Sequence, residues 1–203
     1  MSTNLLPLFL DLRGKRVLLV GGGSVARAKL AALEGTGCRL RAVAAAFSPD
    51  FLDAIRGFDA TLHTRPFRAS DLNGVHFAVA ATQAPPSNAR IADLARRRGI
   101  LVNAVDDLDH CDALFASTLR RGPFVVAVSS EGAFPGLSRA LRDSLEHLLP
   151  DSELEAIEHL PLLRRRLRVC CPDPADRARA LRDLVFSFRR AFLDPFSDGP
   201  PDE

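Results

Sequence analysis

A chain of 203 residues can bury one full domain core and carry a smaller appendage. Its 27 Lys and Arg against 25 Asp and Glu leave a formal charge of +2, which excludes the strongly basic signature of a nucleic-acid binder. Lysine occurs only as Lys15 and Lys29, an arginine bias that a high-GC genome explains without any special ligand. No apolar run reaches the roughly 18 residues of a membrane span. The first eleven residues also lack the basic stretch of a signal peptide, so a cytoplasmic protein with no membrane partner is expected.

In chain order, Leu5–Leu12 reads as an edge strand or a packed arm. Arg16–Val20 is an apolar strand running into three glycines, and Val25–Leu33 follows with helical spacing until Gly35 and Gly37. Cys38–Ala46 is a second apolar strand, after which Pro49 opens a short helix through Phe51, Leu52 and Ile55. Ala60–His63, Val75–Ala81 and Ile100–Asn103 are further strands, with a helix from Pro85 to Gly99 before the last of them. Alternating strands and helices with uninterrupted apolar strands predict a parallel sheet covered on both faces.

The pattern changes near Asp112. Leu114–Leu119 and Phe124–Val128 flank Arg120-Arg121-Gly122-Pro123 and predict a hairpin. Pro135–Leu148 is a helix with Leu137, Ala140, Leu141, Leu145 and Leu148 on one face, stopped by Pro150. Beyond it only helical periodicity remains, over Leu154–Leu167 and Ala175–Phe192, and the tail from Asp194 is expected to be disordered. The predicted fold class is α/β: a Rossmann-type parallel-sheet domain (1–113), a small α+β dimerisation segment (114–150) and a helical carboxy-terminal domain (151–203).

Gly21-Gly22-Gly23-Ser24-Val25-Ala26 supplies the first chemical signal. A G-x-G-x-x-A pattern is weak alone, but here it follows a strand and opens a helix. Gly21 permits the tight turn, Gly23 lets backbone amides approach a pyrophosphate, and Ala26 allows close helix–strand packing. The usual Asp or Glu about 20 residues on, which would bind a ribose 2′-hydroxyl, is absent. Ala42–Ala46 stands there, so Ala45 and Ala46 offer adenosine only backbone and small-residue contact. Arg39 and Arg41 could meet a 2′-phosphate, although solvent-facing roles suit them as well. NAD is the expected cofactor, with NADP open.

Thr82, Asn103 and Asp106 lie at strand ends, where open α/β sheets bind ligands. Asp106 is the candidate general base, although on spacing alone its place beside Asp107 favours a turn or helix cap. The five histidines form no H-x-x-x-H pair, and the four cysteines (Cys38, Cys111, Cys170, Cys171) form no C-x-x-C pair. No metal site is expected, and the thiols read as buried or idle. Ser129 and Ser130, with Arg139 and Arg142 in the next helix, could receive an anionic substrate, or else serve as caps and solvated cations.

Taken together, these segments resemble the precorrin-2 dehydrogenase and sirohydrochlorin ferrochelatase family, which also forms the amino-terminal module of siroheme synthases. The resemblance rests on an ordered set: L-P-L-F-L-D-L-R, V-L-L-V-G-G-G-S-V-A with Lys29, A-V-A-A-T, N-A-V-D-D with Cys111-Asp112, and V-A-V-S-S-E-G-A-F-P with Arg139 and Arg142. It implies a homodimer with a polycarboxylate tetrapyrrole in a cleft between protomers, and NAD-dependent dehydrogenation of precorrin-2. Iron insertion into the product is a second activity of some members.

Asp106 matches the family's catalytic aspartate. Ser24, Val25, Ala45 and Ala46 match dinucleotide contacts, and Ser130 matches a serine at the tetrapyrrole cleft that is phosphorylated in some relatives. Glu131 stands where relatives often carry Gly, and Leu108 and Ala116 stand where many carry Pro. A carboxylate at Glu131 would repel an acidic substrate unless it points away. Two other readings compete: a non-catalytic dinucleotide-sensing regulatory module, and a stand-alone ferrochelatase using the glycine loop as scaffold.

Overall fold

The computed structural model describes residues 5–121, 124–147 and 160–192. The chain divides into one unit of Met1–Phe115 with Glu131–Ala133, and a second of Ala116–Ser130 with Phe134–Glu203.

In the first unit, β1 (Arg16–Val20), β2 (Arg39–Ala44), β3 (Asp59–Thr64), β4 (Phe77–Ala80) and β5 (Leu101–Ala104) form one parallel sheet in the order β3-β2-β1-β4-β5. This is the Rossmann-type α/β arrangement that the strand–helix alternation predicts. The chain runs outward from β1 to β3 and then crosses back to β4. Its switch point therefore opens at the carboxyl ends of β1 and β4, where such sheets bind ligands.

The central strands are largely apolar because both faces are covered, with polar positions only at Arg16 of β1 and Arg39 and Arg41 of β2. Val17, Leu19, Ala42 and Val79 pack with Leu30 of α1 (Ser24–Leu33) and Phe51 of α2 (Pro49–Ala54). Leu18, Val20, Val43, Ala78 and Val102 pack on the opposite face with Ile91 and Ala95 of α3 (Pro85–Arg96). Pro85 and Pro86 start α3, where missing amide hydrogens cost nothing. Gly99 (φ 67°) reverses the chain after it, and the Ile100 amide donates to the Ala95 carbonyl at 3.0 Å.

Sheet edges expose unpaired backbone, and the β5 edge is closed by the chain that follows it. The Val102 carbonyl accepts from the Asp112 and Ala113 amides, and the Val102 amide donates to Asp112 Oδ2. Ala104 is bracketed by Cys111, whose Sγ accepts from the Ala104 amide at 3.2 Å and donates to its carbonyl at 3.0 Å. Cys111 and Asp112 thus have a structural occupation. This also corrects the predicted start of the hairpin at Leu114. Phe115 packs on Phe77 at 5.9 Å, and strand structure resumes only at Ser117.

The amino-terminal arm is a second correction. Leu5–Leu12 is neither an edge strand nor packed along its length. It has no strand structure, and Leu6 (76% exposed) and Phe9 (72%) face outward. Leu12 alone of its apolar residues packs against the core.

The second unit contains the expected antiparallel hairpin, β6 (Ser117–Arg121) with β7 (Phe124–Val128), and α4 (Pro135–His147). Arg121 ties β6 to Glu146 of α4 at 3.2 Å. Of the apolar face predicted on α4, Leu137 (61%), Ala140 and Leu141 are exposed and Leu145 is half-buried, while Leu148 lies outside the described residues. Two further helices are α5 (Leu160–Cys170) and α6 (Pro174–Phe192). α5 continues past the expected Leu167 until Pro172 intervenes. The Pro150 stop and the tail from Asp194 lie outside the described residues. No described helix is long and apolar enough to cross a membrane.

Candidate functional site

The glycine loop is built by contacts that exclude side chains at two of its three positions. A Cβ on Gly21 (φ 137°) would lie 2.2 Å from the Ala81 carbonyl oxygen, and one on Gly22 would lie 2.3 Å from that of Ala46. A Cβ on Gly23 would meet nothing within 4 Å. Gly21 and Gly22 therefore serve the turn, whereas the space over Gly23 is kept open. Its carbonyl begins the helical bonds by accepting from Arg27 at 2.9 Å, and among the described residues no side chain caps the amides of the first turn. An open approach to uncapped amides at the positive end of a helix is what a phosphate requires.

Backbone hydrogen bonds lash the loops at the carboxyl edge into one row. Ser48 donates to Gly22 at 2.8 Å, Gly21 to Val43 at 2.9 Å, Ala81 to Val20 at 2.8 Å, and Val105 to Ala80 at 2.9 Å. The row brings together Gly21, Gly22 and Gly23 with Ala45, Ala46, Thr82 and the entry to Asp106. Ser24 and Val25, at the start of α1, are exposed beside it. Ala45 and Ala46 are exposed too, and Phe47 after them stacks on Phe51 at 5.2 Å.

Thr82 and Asn103 are engaged inside the fold. The Thr82 hydroxyl donates to Asn88 Oδ1 at 2.7 Å, and Asn88 Nδ2 returns a bond to the Thr82 carbonyl. Asn103, 4% exposed, donates from Nδ2 to the Ala113 carbonyl at 2.9 Å, and its buried Oδ1 has no hydrogen-bond partner among the described residues.

Asp106 and Asp107 differ in what their carboxylates meet. Asp107 is the cap: its carboxylate accepts from the His110 amide at 3.2 Å and pairs with the His110 ring at 2.8 Å. That ring holds the Asp107 carboxyl below the usual carboxylate range. Asp106 adopts the left-handed conformation (φ 59°), and its exposed carboxylate accepts no hydrogen bond among the described residues. Aspartate tolerates this backbone better than most residues, and such conformations cluster at functional sites.

The substrate candidates of the second unit surround the start of α4. Ser130 Oγ accepts from the Phe134 amide at 2.9 Å and from Ser138 Oγ at 3.0 Å, so its hydroxyl organises the turn into α4. Ser129 and Arg139 are exposed. Arg142 pairs with the adjacent Asp143 and has a buried Nε without a hydrogen-bond partner.

Residues 8–117 match a family model described as "Putative NAD(P)-binding". The matched segment is more than half of the chain and contains the glycine loop, the row of loops and Asp106. The chain belongs to this NAD(P)-binding family. A siroheme synthase of Pseudomonas fluorescens (strain SBW25) is 36% identical over 181 residues, covering 89% of this chain and 39% of that protein. One of Methylococcus capsulatus is 41% identical over 174 residues, covering 85% and 36%. The chain thus spans less than half the length of these curated relatives. Among solved structures, "SirC, precorrin-2 dehydrogenase" superposes with a TM-score of 0.73 at 20% identity, over 96% of this chain and all of that one, a likeness of fold.

Two features of the first unit escape a reading by motif. Asn88 looks like an ordinary helical position, yet its buried amide locks the loop after β4. Only its polarity among Ile91, Ala92 and Ala95 hinted at this. Glu131 is the other. Its Oε1 accepts from the Leu5 amide at 3.2 Å, so a bond to the arm occupies the carboxylate. The two unusual positions also share a neighbourhood, because a Cβ on Gly132 would lie 2.6 Å from Leu108.

Proposed function

We propose that the chain is an NAD-dependent dehydrogenase that oxidises precorrin-2 to sirohydrochlorin and works as a homodimer. The observation that carries this reading is Asp106, an unbonded carboxylate in left-handed backbone, one residue beyond a loop row that opens over Gly23. Both siroheme synthase relatives and the precorrin-2 dehydrogenase with the same fold support the substrate class. A sensor that only binds dinucleotide gives no account of why an acid is held this way.

Gly21, Gly22 and Gly23, with the amides of Ser24 and Val25, would cradle the pyrophosphate, and Ala45 and Ala46 would flank the adenosine. NAD is favoured over NADP because β2 offers no arginine to a 2′-phosphate. Arg39 lies at the amino end of the strand beside Asp59, and Arg41 Nη1 donates to the Asp71 carbonyl at 2.6 Å. The bound nicotinamide supplies the hydride acceptor. Asp106 takes the proton that leaves as the macrocycle gains conjugation. Thr82 and Asn103 act through the backbone they hold. Ser129, Ser130, Arg139 and Arg142 are proposed to receive the polycarboxylate rim of the substrate, where guanidinium–carboxylate pairs give orientation.

Asp106→Asn tests the assignment. Asparagine tolerates the left-handed backbone as well as aspartate does, so the fold and dinucleotide affinity should survive. Oxidation of precorrin-2 should slow by roughly 100-fold or more. Oxidation at the wild-type rate would falsify the catalytic role of Asp106.

A further inference from the structure

The loop after β4 is tied by one side chain. Asn88, the fourth residue of α3, is 2% exposed and lies on the buried face with Ile91, Ala92 and Ala95, where an apolar residue would pack as well. A buried amide is costly unless its bonds are made, and both groups of Asn88 make theirs with Thr82. Asn88 Oδ1 accepts from the Thr82 amide at 3.0 Å and from the Thr82 hydroxyl at 2.7 Å, and Nδ2 donates to the Thr82 carbonyl at 3.1 Å. A backbone amide only donates and a carbonyl only accepts, so the network fixes which end of the Asn88 amide is which. Every polar group of Thr82 is engaged.

These bonds hold one wall of the crevice at the switch point. Ala81, just before Thr82, donates to Val20 at 2.8 Å, and its carbonyl oxygen lies so close to Gly21 that a Cβ there would be 2.2 Å away. The loops after β1 and β4 therefore touch at Gly21 and Ala81. Unlike α1, α3 offers no phosphate site. Pro85 and Pro86 have no amide hydrogens, and those of Ser87 and Asn88 bond to the Ala84 carbonyl at 2.9 and 3.2 Å. The contribution of the β4 loop is shape.

We propose that Asn88 is a positioning residue for dinucleotide binding. By engaging Thr82 at three points it keeps the Ala81 carbonyl seated on Gly21 and holds the crevice between the two loops in the shape that accepts the dinucleotide. This rests on the reading of the glycine loop as the dinucleotide site. A loop already held in its bound shape spares the ligand the cost of ordering it. An apolar side chain at position 88 would fill the core and leave Thr82 without these partners, so binding reports the role where stability alone would not.

Calorimetry with NAD on the full-length chain tests this. Asn88→Ala removes all three bonds, and the NAD dissociation constant should rise roughly tenfold. Asn88→Asp, nearly the same size, turns the donor facing the Thr82 carbonyl into an acceptor and should weaken NAD to a similar extent. Thr82→Val removes the hydroxyl alone and should show a smaller loss, which keeps the test open if the Asn88 variants do not fold. Asp71→Asn, destabilised at a different loop, is the control and should bind NAD like the wild type. In turnover, the NAD KM of Asn88→Asp should rise while the precorrin-2 KM stays unchanged. Wild-type NAD affinity in the Asn88 and Thr82 variants would overturn the proposal, as would an equal loss in Asp71→Asn. A wild-type chain that binds neither NAD nor NADP would overturn the dinucleotide reading, and this proposal with it.

Discussion

Asp106 and Asp107 are adjacent and chemically identical, yet their backbones differ (φ 59° against −142°) and so do the surroundings of their carboxylates. Asp107 spends its carboxylate on His110 and the short turn over Leu108–His110. Asp107→Asn should therefore cost about 1 kcal/mol of stability and leave turnover largely intact, the reverse of the pattern expected for Asp106→Asn. Thermal unfolding and a rate assay on the two variants separate the roles. Asp71 makes a pH-dependent contribution. Its buried carboxylate accepts Arg65 Nη2 at 2.6 Å and Nη1 at 2.8 Å, and the Arg68 amide at 2.8 Å. Arg65 first, and then the Arg68 amide, hold its pKa below the ordinary value. A carboxyl depressed in the folded state stabilises the fold fully above its unfolded pKa and loses that contribution as pH falls through the folded value. Urea unfolding should therefore show a loss of stability below about pH 4 that Asp71→Asn largely removes, with the variant about 2 kcal/mol weaker at neutral pH. An identical acid profile in the variant would refute this.

At the scale of elements, the β1–α1 turn separates what the fold needs from what the ligand needs. Gly21→Ala and Gly22→Ala force a methyl against the carbonyls of Ala81 and Ala46 and should lower the melting temperature sharply. Gly23→Ala has open space and ordinary backbone angles, so it should melt like the wild type. Its methyl would occupy the approach to the first-turn amides, and dinucleotide affinity should fall roughly tenfold or more. Calorimetry on the three variants checks the division. The same turn shows why the sheet was legible in the sequence. Residues such as Val17–Val20 and Ala78–Ala80 are apolar on both faces, and that pattern with Gly21 and Gly23 admits few other folds. Leu5–Leu12 misled for the same reason: apolar residues signal burial, but a sequence does not say against what. The delayed start of β6 was hidden because Ala113 bonds to Val102 and Asn103 of β5 and Phe115 packs on Phe77 of β4, contacts that no local pattern encodes. At the site, the glycines were readable from spacing, whereas Asp106 was singled out by its strand-end place and the family resemblance, since spacing alone suited a turn or cap. Asn88 and the bond from Leu5 to Glu131 depend on residues brought close only by folding.

For the whole molecule, the distribution of apolar surface is the main constraint. The first unit has a core on each face of its sheet, whereas the second exposes Phe134 before α4 and Leu137 and Leu141 on it, and the arm exposes Leu6, Leu8 and Phe9. Apolar residues in such runs are costly to leave in water, which accords with the proposed homodimer. Light scattering should give twice the mass of the 203-residue chain, and Leu137→Glu should shift the equilibrium toward monomer. A wild-type monomer at micromolar concentration would count against a substrate site shared between protomers. The central claim remains the reaction, and anaerobic incubation with precorrin-2 tests it most directly. With NAD present, absorbance should change from that of precorrin-2 to that of sirohydrochlorin as NADH forms in equal amount, with no change when the dinucleotide is omitted. Precorrin-2 left intact with both NAD and NADP would contradict the account.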